Sequence, residues 1–447
     1  MKFLSVFMSV LMAFSVAFSA PAKQLGPVVI TPSTLRKELL SRNIGIAISL
    51  NDVQQAKAQV AQARGNLLPS VNLGSLISSG PIFMLTSVSM LLPFLMPSNW
   101  MNLRESTWLL RAQATSHYLA ELNAYASAYS LYYTILGDMQ LRESIYHQYQ
   151  NLRAIEEELR IPADMGTVRM EEYLQAQAQA EMAFIQVSQL DEVIKTERAA
   201  IRKMLGLDLS QEISFVPVAI SASSVEGQLP QDLIEQVHKN SPETVQMSHM
   251  ITAAQYATWS KGFSFLSGAS LGMSRSVDGG AFSSVTRNGS VNLGFGYFPA
   301  LELSNLNVQQ LQLRKKELRL EQAQVLEVAF GALEEAHKQH EAAQKAHLNL
   351  EQVYEAEYFR YKMGLTDILH VLQAANSLSS ALVNKVKAET ALNTLRVTLH
   401  RTMITDEFSQ IQPCEIERRS SGGIRGKLGR IFNPDKDNVT LDQVCGR

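Results

Sequence analysis

Met165-Gly166-Thr167-Val168-Arg169-Met170-Glu171-Glu172-Tyr173-Leu174-Gln175-Ala176 is answered, 198 positions later, by Met363-Gly364-Leu365-Thr366-Asp367-Ile368-Leu369-His370-Val371-Leu372-Gln373-Ala374. Both stretches open on Met-Gly and close on Leu-Gln-Ala at the same spacing. Leu68, Leu73 and Gly74 stand the same 198 residues before Leu266, Leu271 and Gly272. An offset held over about a hundred residues marks the internal duplication of one large structural unit. Each unit reads as a Gly/Ser-rich extended patch, a long helix, a tight turn at Met-Gly and a second long helix running back.

The helices dominate the pattern. Asn99 to Arg160 contains no Pro and one Gly, Gly137. As one helix it would span about 93 Å. Pro162 is expected to interrupt it, Gly166 to mark the turn, and helix to resume until Gly206. In the second unit Leu301 to Lys362 has no Pro and only Gly331, Met363-Gly364 is the turn, and helix runs on to about Met403. Helices this far above the mean of about 11–12 residues need coiled-coil or bundle packing. Their Ala, Leu, Gln and Glu content suits it. An earlier helix is expected from Ser33 to Arg64, opened by Thr31-Pro32-Ser33 and followed by Gly65.

Gly65 to Leu103, 39 positions, carries no charged residue but four prolines, Pro69, Pro81, Pro93 and Pro97. Those prolines argue against a membrane helix. Val71 to Ile77 alternates in part, and Phe83 to Met96 reads as a second, more apolar strand. In the second unit Val291, Leu293, Phe295 and Tyr297 alternate with Asn292, Gly294 and Gly296, as in a membrane barrel strand. The polar stretch Arg275 to Asn288 reads as the loop before it. Trp100, Trp259, Tyr297 and Phe298 are candidates for an aromatic girdle.

The remaining segments set the domain plan. Lys2, the apolar run Phe3–Phe18 and Ala20-Pro21-Ala22 read as a secretory signal over 1–22. The first repeat covers 23–206. A linker, 207–230, holds a short strand within Glu212–Pro217. The second repeat, 231–405, begins with helix from Gln231 to Lys261 broken near Ser241-Pro242. The tail, 406–447, is basic around Arg418–Arg430 and carries both cysteines, Cys414 and Cys445. In an oxidising compartment the two can pair, closing a loop of about 30 residues worth roughly 3–4 kcal/mol in the loop-entropy model; two free thiols are the other reading. A formal charge of −2 implies no nucleic-acid partner.

Four candidate strands per chain cannot close a barrel, which needs at least eight, and an open sheet edge cannot face lipid. Other copies must complete it, and three copies give twelve strands. The expected fold is therefore mainly α with membrane β: long helical hairpins forming an α-barrel or coiled-coil tunnel, plus four strands per protomer in a twelve-stranded trimeric β-barrel.

Three features together resemble the TolC-like outer-membrane efflux and export channels (outer membrane factors). They are the Ala/Gln-rich first helix followed by Asn66-Leu67-Leu68-Pro69-Ser70, the repeated strand pair and helical hairpin, and the two Gly turns followed by Leu-Gln-Ala. The resemblance covers roughly residues 33–405. It implies a homotrimer in the cell outer membrane with a periplasmic helical domain. It implies transport, by efflux or type I secretion, with a periplasmic adaptor (membrane fusion protein) and an inner-membrane transporter, and without catalysis or cofactors. It also implies that the helical tips close the periplasmic end. Relatives often carry two acids after the second turn; here those positions are His370 and Gln373, with Asp367 the nearest acid. Such a ring would lack the fixed negative charges that those acids supply. Arg169, Glu171 and Glu172 on the first turn are candidates for ion pairs between protomers. Met165-Gly166-Thr167 and Met363-Gly364-Leu365 are the candidate adaptor-docking tips.

Two other classes stay in view. A soluble periplasmic scaffold or adaptor would explain the hairpins but not the uncharged, alternating patches. An exported enzyme would need a catalytic constellation, and no HExxH, CxxC or P-loop occurs. His337, His340 and His347 lie near one helical stripe, but Lys338, Gln339, Glu341, Gln344 and Lys345 between them read as a solvated face rather than a metal site.

Overall fold

The computed structural model describes residues 28–68, 92–208, 211–220, 222–223, 226, 228, 230–264, 269–273, 285–289 and 296–413. The duplication is carried element by element. Helix α1 (Pro32–Arg42), α2 (Ile44–Gly65), α3 (Pro97–Asp164) and α4 (Met170–Leu205) are matched by α5 (Pro230–Asn240), α6 (Pro242–Gly262), α7 (Tyr297–Lys362) and α8 (Ile368–Met403). The starts of α1, α2 and α4 and the ends of α3 and α4 all recur 198 positions later. At 68 and 66 residues, α3 and α7 are each about 100 Å long. No described helix is long and apolar enough to cross a membrane.

Local chemistry explains where the helices begin. The expected helix Ser33–Arg64 is divided at Asn43, whose Oδ1 accepts from Ile46 N at 3.0 Å and caps α2. Its repeat partner Ser241 does the same for α6, with Oγ accepting from Thr244 N at 3.2 Å. Thr31 and Thr34 form a capping box at the start of α1. Pro162 does not interrupt α3, because it lies within the last turn and the helix ends at Asp164. Its missing N–H costs one bond, while its carbonyl accepts from Thr167 N at 2.9 Å to close the turn.

Strand β1 (Val28–Ile30) pairs in parallel with β2 (Ile213–Phe215), which is the short strand expected in the linker. Strands β3 (Ala269–Met273) and β4 (Val285–Gly289) pair antiparallel, Leu271 opposite Arg287. Residues 285–288 are therefore strand rather than loop, in keeping with β-branched Val285 and Thr286. Tyr297 opens α7 instead of ending a strand, since Pro299 is tolerated in a first helical turn but not in a sheet ladder. Likewise Leu92–Leu95, read as strand, is a single helical turn containing Pro93. The readings at 1–22, Val71–Ile77, 83–91 and 291–295, and both cysteines, lie outside the described residues.

The main core sits at mid-length of α3, where α1, α4, α8 and the β1–β2 pair meet it. Tyr125, Tyr129, Tyr132 and Tyr133 stack through it, with Tyr125 at 5.0 Å from Phe408. Tyr132 and Tyr133 donate to the carbonyls of Val216 and Val218 at 2.5 and 3.1 Å, and so fasten the linker to α3. Glu226, further along the linker, clamps the second hairpin. Arg396 on α8 meets it with two nitrogens at 3.0 and 3.2 Å, and His337 on α7 stands 3.5 Å away.

Candidate functional site at the hairpin tips

Both hairpins turn on a glycine in the left-handed region, Gly166 at φ 72° and Gly364 at φ 70°. Nothing lies within 4 Å of a Cβ added at either, so backbone conformation and not crowding selects glycine. The bonds of the two turns correspond: Thr167 N donates to Pro162 O and Leu365 N to Arg360 O, each at 2.9 Å. Met165, Met363 and Leu365 are exposed at 66%, 62% and 76%, and Thr167 and both glycines are exposed with them. All six expected docking residues therefore project from the end of the molecule.

Behind the turns all four long helices share one apolar cluster. Leu152, Ile155 and Leu159 of α3 and Ala176, Ala180 and Ala183 of α4 pack against Ile368, Val371, Leu372 and Ala375 of α8. Tyr354, Tyr358 and Tyr361 of α7 close its side. Polar links then tie one hairpin to the other. Arg169, the N-cap of α4, and Asp367, the N-cap of α8, occupy equivalent positions of the two repeats. The Arg169 guanidinium donates to Asp367 Oδ2 at 2.9 Å and to Glu172 Oε1 at 2.7 Å. Neither residue caps its own helix; each is committed to this link. Lys362 at the end of α7 reaches Glu158 on α3 at 3.3 Å and lies 5.1 Å from the Tyr358 ring centre. Gln148 on α3 donates to the Ala375 carbonyl on α8 at 3.2 Å.

The expected gate residues are thus brought together unevenly. Arg169, Glu172 and Asp367 form one network inside the chain, so Arg169 joins the two hairpins of one protomer. Glu171 makes no ion pair among the described residues. His370 and Gln373 are exposed, one turn apart, on a face separate from the buried Ile368, Val371 and Leu372. Gln373 borders a cleft of about 670 Å³ between α7 and α8, whose other walls are Ala342, Ala343, Ala346 and Leu350 of α7 and Asn376, Ser380 and Asn384 of α8. Lys338, Gln339, Glu341, Gln344 and Lys345 are exposed, the solvated face expected of them, while His340 and His347 among them are half-buried, each with an Nδ1 shielded from solvent.

Residues that sequence reading passed over are the tethering pair Lys362–Glu158 and the partner of Arg169. The 198-residue offset itself pairs Arg169 with Asp367 and was the signal available. One GxSxG spacing also exists, Gly268-Ala269-Ser270-Leu271-Gly272. Ser270 lies inside β3 opposite Asn288, not on a strand-to-helix turn, so it is no nucleophile elbow. Ser49, His117 and Glu121 come together with Ser49 Oγ 2.7 Å from His117 Nδ1, but His117 and Glu121 are fully buried, and Ser49 donates to the Ile46 carbonyl. Among the described residues no group of three or more His, Cys, Asp or Glu could hold a metal ion.

No family model matches the chain, and no curated protein matches it. Solved structures do. A membrane protein from Pseudomonas aeruginosa aligns at TM-score 0.68 and 14% identity, over 85% of this chain and 91% of its own. The Campylobacter jejuni CmeC outer membrane channel aligns at TM-score 0.68 and 14% identity, over 88% and 93%. The outer membrane protein VceC of Vibrio cholerae aligns at TM-score 0.66 and 14% identity, over 83% and 95%. At this identity the likeness is one of fold, and the duplicated hairpins described above are the architecture of TolC-like outer-membrane channels.

Proposed function

We propose that the chain is one protomer of a trimeric outer-membrane channel-tunnel. It exports substrates across the periplasm and outer membrane with a periplasmic adaptor and an inner-membrane transporter. The observation that carries this reading is the bare face of α7. Along 66 residues that helix buries only Ser304, Leu326, Leu333 and Ala336, while Leu306, Leu313 and Leu320 stand exposed at a strict seven-residue interval. A solvent-facing heptad of leucines is a coiled-coil seam awaiting another helix. Further copies of the chain supply that helix, and with it the strands needed to close a barrel. The exposed Trp100, Trp259 and Phe298 sit at the helix ends that adjoin the strand segments, where a membrane interface would lie.

At the opposite end the tips act as the gate, with Met165, Gly166, Thr167, Met363, Gly364 and Leu365 facing the adaptor. Arg169–Asp367 and Lys362–Glu158 hold the two hairpins of each protomer together. An opening movement must part them or carry both hairpins as one body. His370 and Gln373 face away from the tip core, available to line the aperture. Binding an adaptor better to the open arrangement than to the closed one shifts the balance between them. The test is cell fractionation of the mature chain. Recovery as a heat-dissociable trimer in the outer-membrane fraction supports the channel. Recovery in the soluble periplasm without detergent overturns it in favour of a periplasmic scaffold.

A further inference from the structure

The uncharged run Gly65–Leu103 is bracketed by two arginines, Arg64 in the last turn of α2 and Arg104 near the start of α3. The two helices run antiparallel, with Val60 and Leu103 in one apolar cluster and Ser49 Oγ 2.7 Å from His117 Nδ1. From Ser49 and His117, Arg64 is 15 residues forward and Arg104 13 residues back. Both arginines therefore stand about 20 Å along the pair, at one height. Lys261 joins them from α6, where its neighbour Ser260 donates to the Ser98 carbonyl at 3.3 Å. The same layer is apolar on its outside: Leu68, Leu95, Trp259, Phe298 and Leu303 are each more than half exposed. Tyr297 Oη donates to the Gly262 carbonyl at 2.6 Å and Thr258 Oγ1 meets Ser304 Oγ at 2.9 Å, which brings Trp259, Phe298 and Leu303 to one level. Of the two acids in this layer, Glu105 is half-buried under the charge of Lys261 and Glu302 is exposed on α7. Arg64 and Arg104 are exposed and make no ion pair among the described residues. Arg104 donates instead to Tyr256 Oη at 3.2 Å, its guanidinium carbon 5.6 Å from that ring's centre, and Tyr256 meets Trp259 edge to face at 5.4 Å. One bond of this kind leaves most of the guanidinium donors for an anion.

We propose that Arg64 and Arg104 bind the phosphate of an anionic phospholipid in the periplasmic leaflet of the outer membrane, its acyl chains lying against Leu68, Leu95 and Trp259. The proposal rests on the channel reading, which brings this layer to the membrane. Arg104 is one turn of α3 beyond Trp100, about 6 Å toward the tips. Apolar side chains, aromatic rings and then arginines follow one another in the order in which a bilayer presents acyl chains, interface and phosphate. A guanidinium matches phosphate with paired N–H donors, and an anionic leaflet attracts base.

Lipid-selective quenching reads the site. The chain has three tryptophans, and Trp100→Phe with Trp108→Phe leaves Trp259 alone. The full-length chain is reconstituted in vesicles of phosphatidylcholine with about 30 mol% phosphatidylglycerol, one lipid or the other carrying bromine on its chains. Brominated phosphatidylglycerol is expected to quench Trp259 as if enriched at least about threefold beside it, and less so at high salt. Arg64→Gln with Arg104→Gln, both at exposed positions, brings quenching down to the mole fraction with circular dichroism unchanged. Inorganic phosphate at constant ionic strength leaves the enrichment in place. Quenching of Trp259 in simple proportion to mole fraction, or enrichment that survives the double variant, overturns the site and leaves the channel standing. Displacement by inorganic phosphate makes it a free-anion site and overturns the lipid. No quenching of Trp259 by either lipid overturns the membrane seat, and the channel reading with it.

Discussion

Replacing Leu306, Leu313 and Leu320 together by Ala removes the bare heptad of α7 without touching the interior of the protomer. The three side chains are 52%, 63% and 74% exposed. Burying a whole leucine is worth roughly 1.5–3 kcal/mol, so covering these bare fractions is worth about 1–2 kcal/mol each. A trimer repeats them three times, for a total of about 9–18 kcal/mol, of which alanine retains about a third. The loss of about 6–12 kcal/mol weakens association by more than about four orders of magnitude. The isolated protomer is spared, because exposed leucines leave no cavity and Ala is the best helix former. Light scattering coupled to size exclusion in detergent, with circular dichroism in parallel, checks both halves. The expected result is monomer with undiminished helix. A variant that stays trimeric at the same dilution, with an unchanged dissociation temperature in sodium dodecyl sulfate, refutes the assignment of this seam to the interface.

Gly364→Ala forces a Cβ into a φ of 70°, at a cost of roughly 1–2 kcal/mol. Since the position is sterically open, amide exchange at Met363–Leu365 should quicken about 5–30-fold while the α7–α8 core keeps its protection. Glu197 gives a pH signature. Burial first, and Asp138 second, raise its carboxyl from 4.5 to about 7. The folded state therefore holds a proton that the unfolded chain releases near 4.5. Its contribution to stability is complete below that value and is lost as pH rises through about 7. Melting temperatures between pH 5 and 8 should fall with pH in the wild type and fall less in Glu197→Gln. At the gate, His370→Asp should alter cation block of single channels, and identical traces would remove His370 from the pore lining.

The sequence was most legible where the duplication repeats itself. The offset between the Met-Gly turns predicted both hairpins, and the helix ends followed it. The break at Asn43 was missed because no Pro marks it and Gly45 lies inside the first turn of α2, although Ser241-Pro242 in the second unit stood at the corresponding place. Strand positions were the least legible. Pro93 lies within an apolar stretch that reads as strand and Pro299 two residues beyond another, yet each is held in a first helical turn, where the missing N–H does no harm. The tip network was half legible: Arg169 and Glu172 are neighbours in sequence, whereas Asp367 reaches Arg169 only through the fold.

Planar-bilayer recording of the purified chain, alone and with Arg169→Gln to cut the links to Glu172 and Asp367, tests the central claim most directly. A channel-tunnel built by this chain gives current steps of one uniform size, small in the wild type and larger when the tips are released. Membrane-inserted protein that passes no current in either form contradicts it.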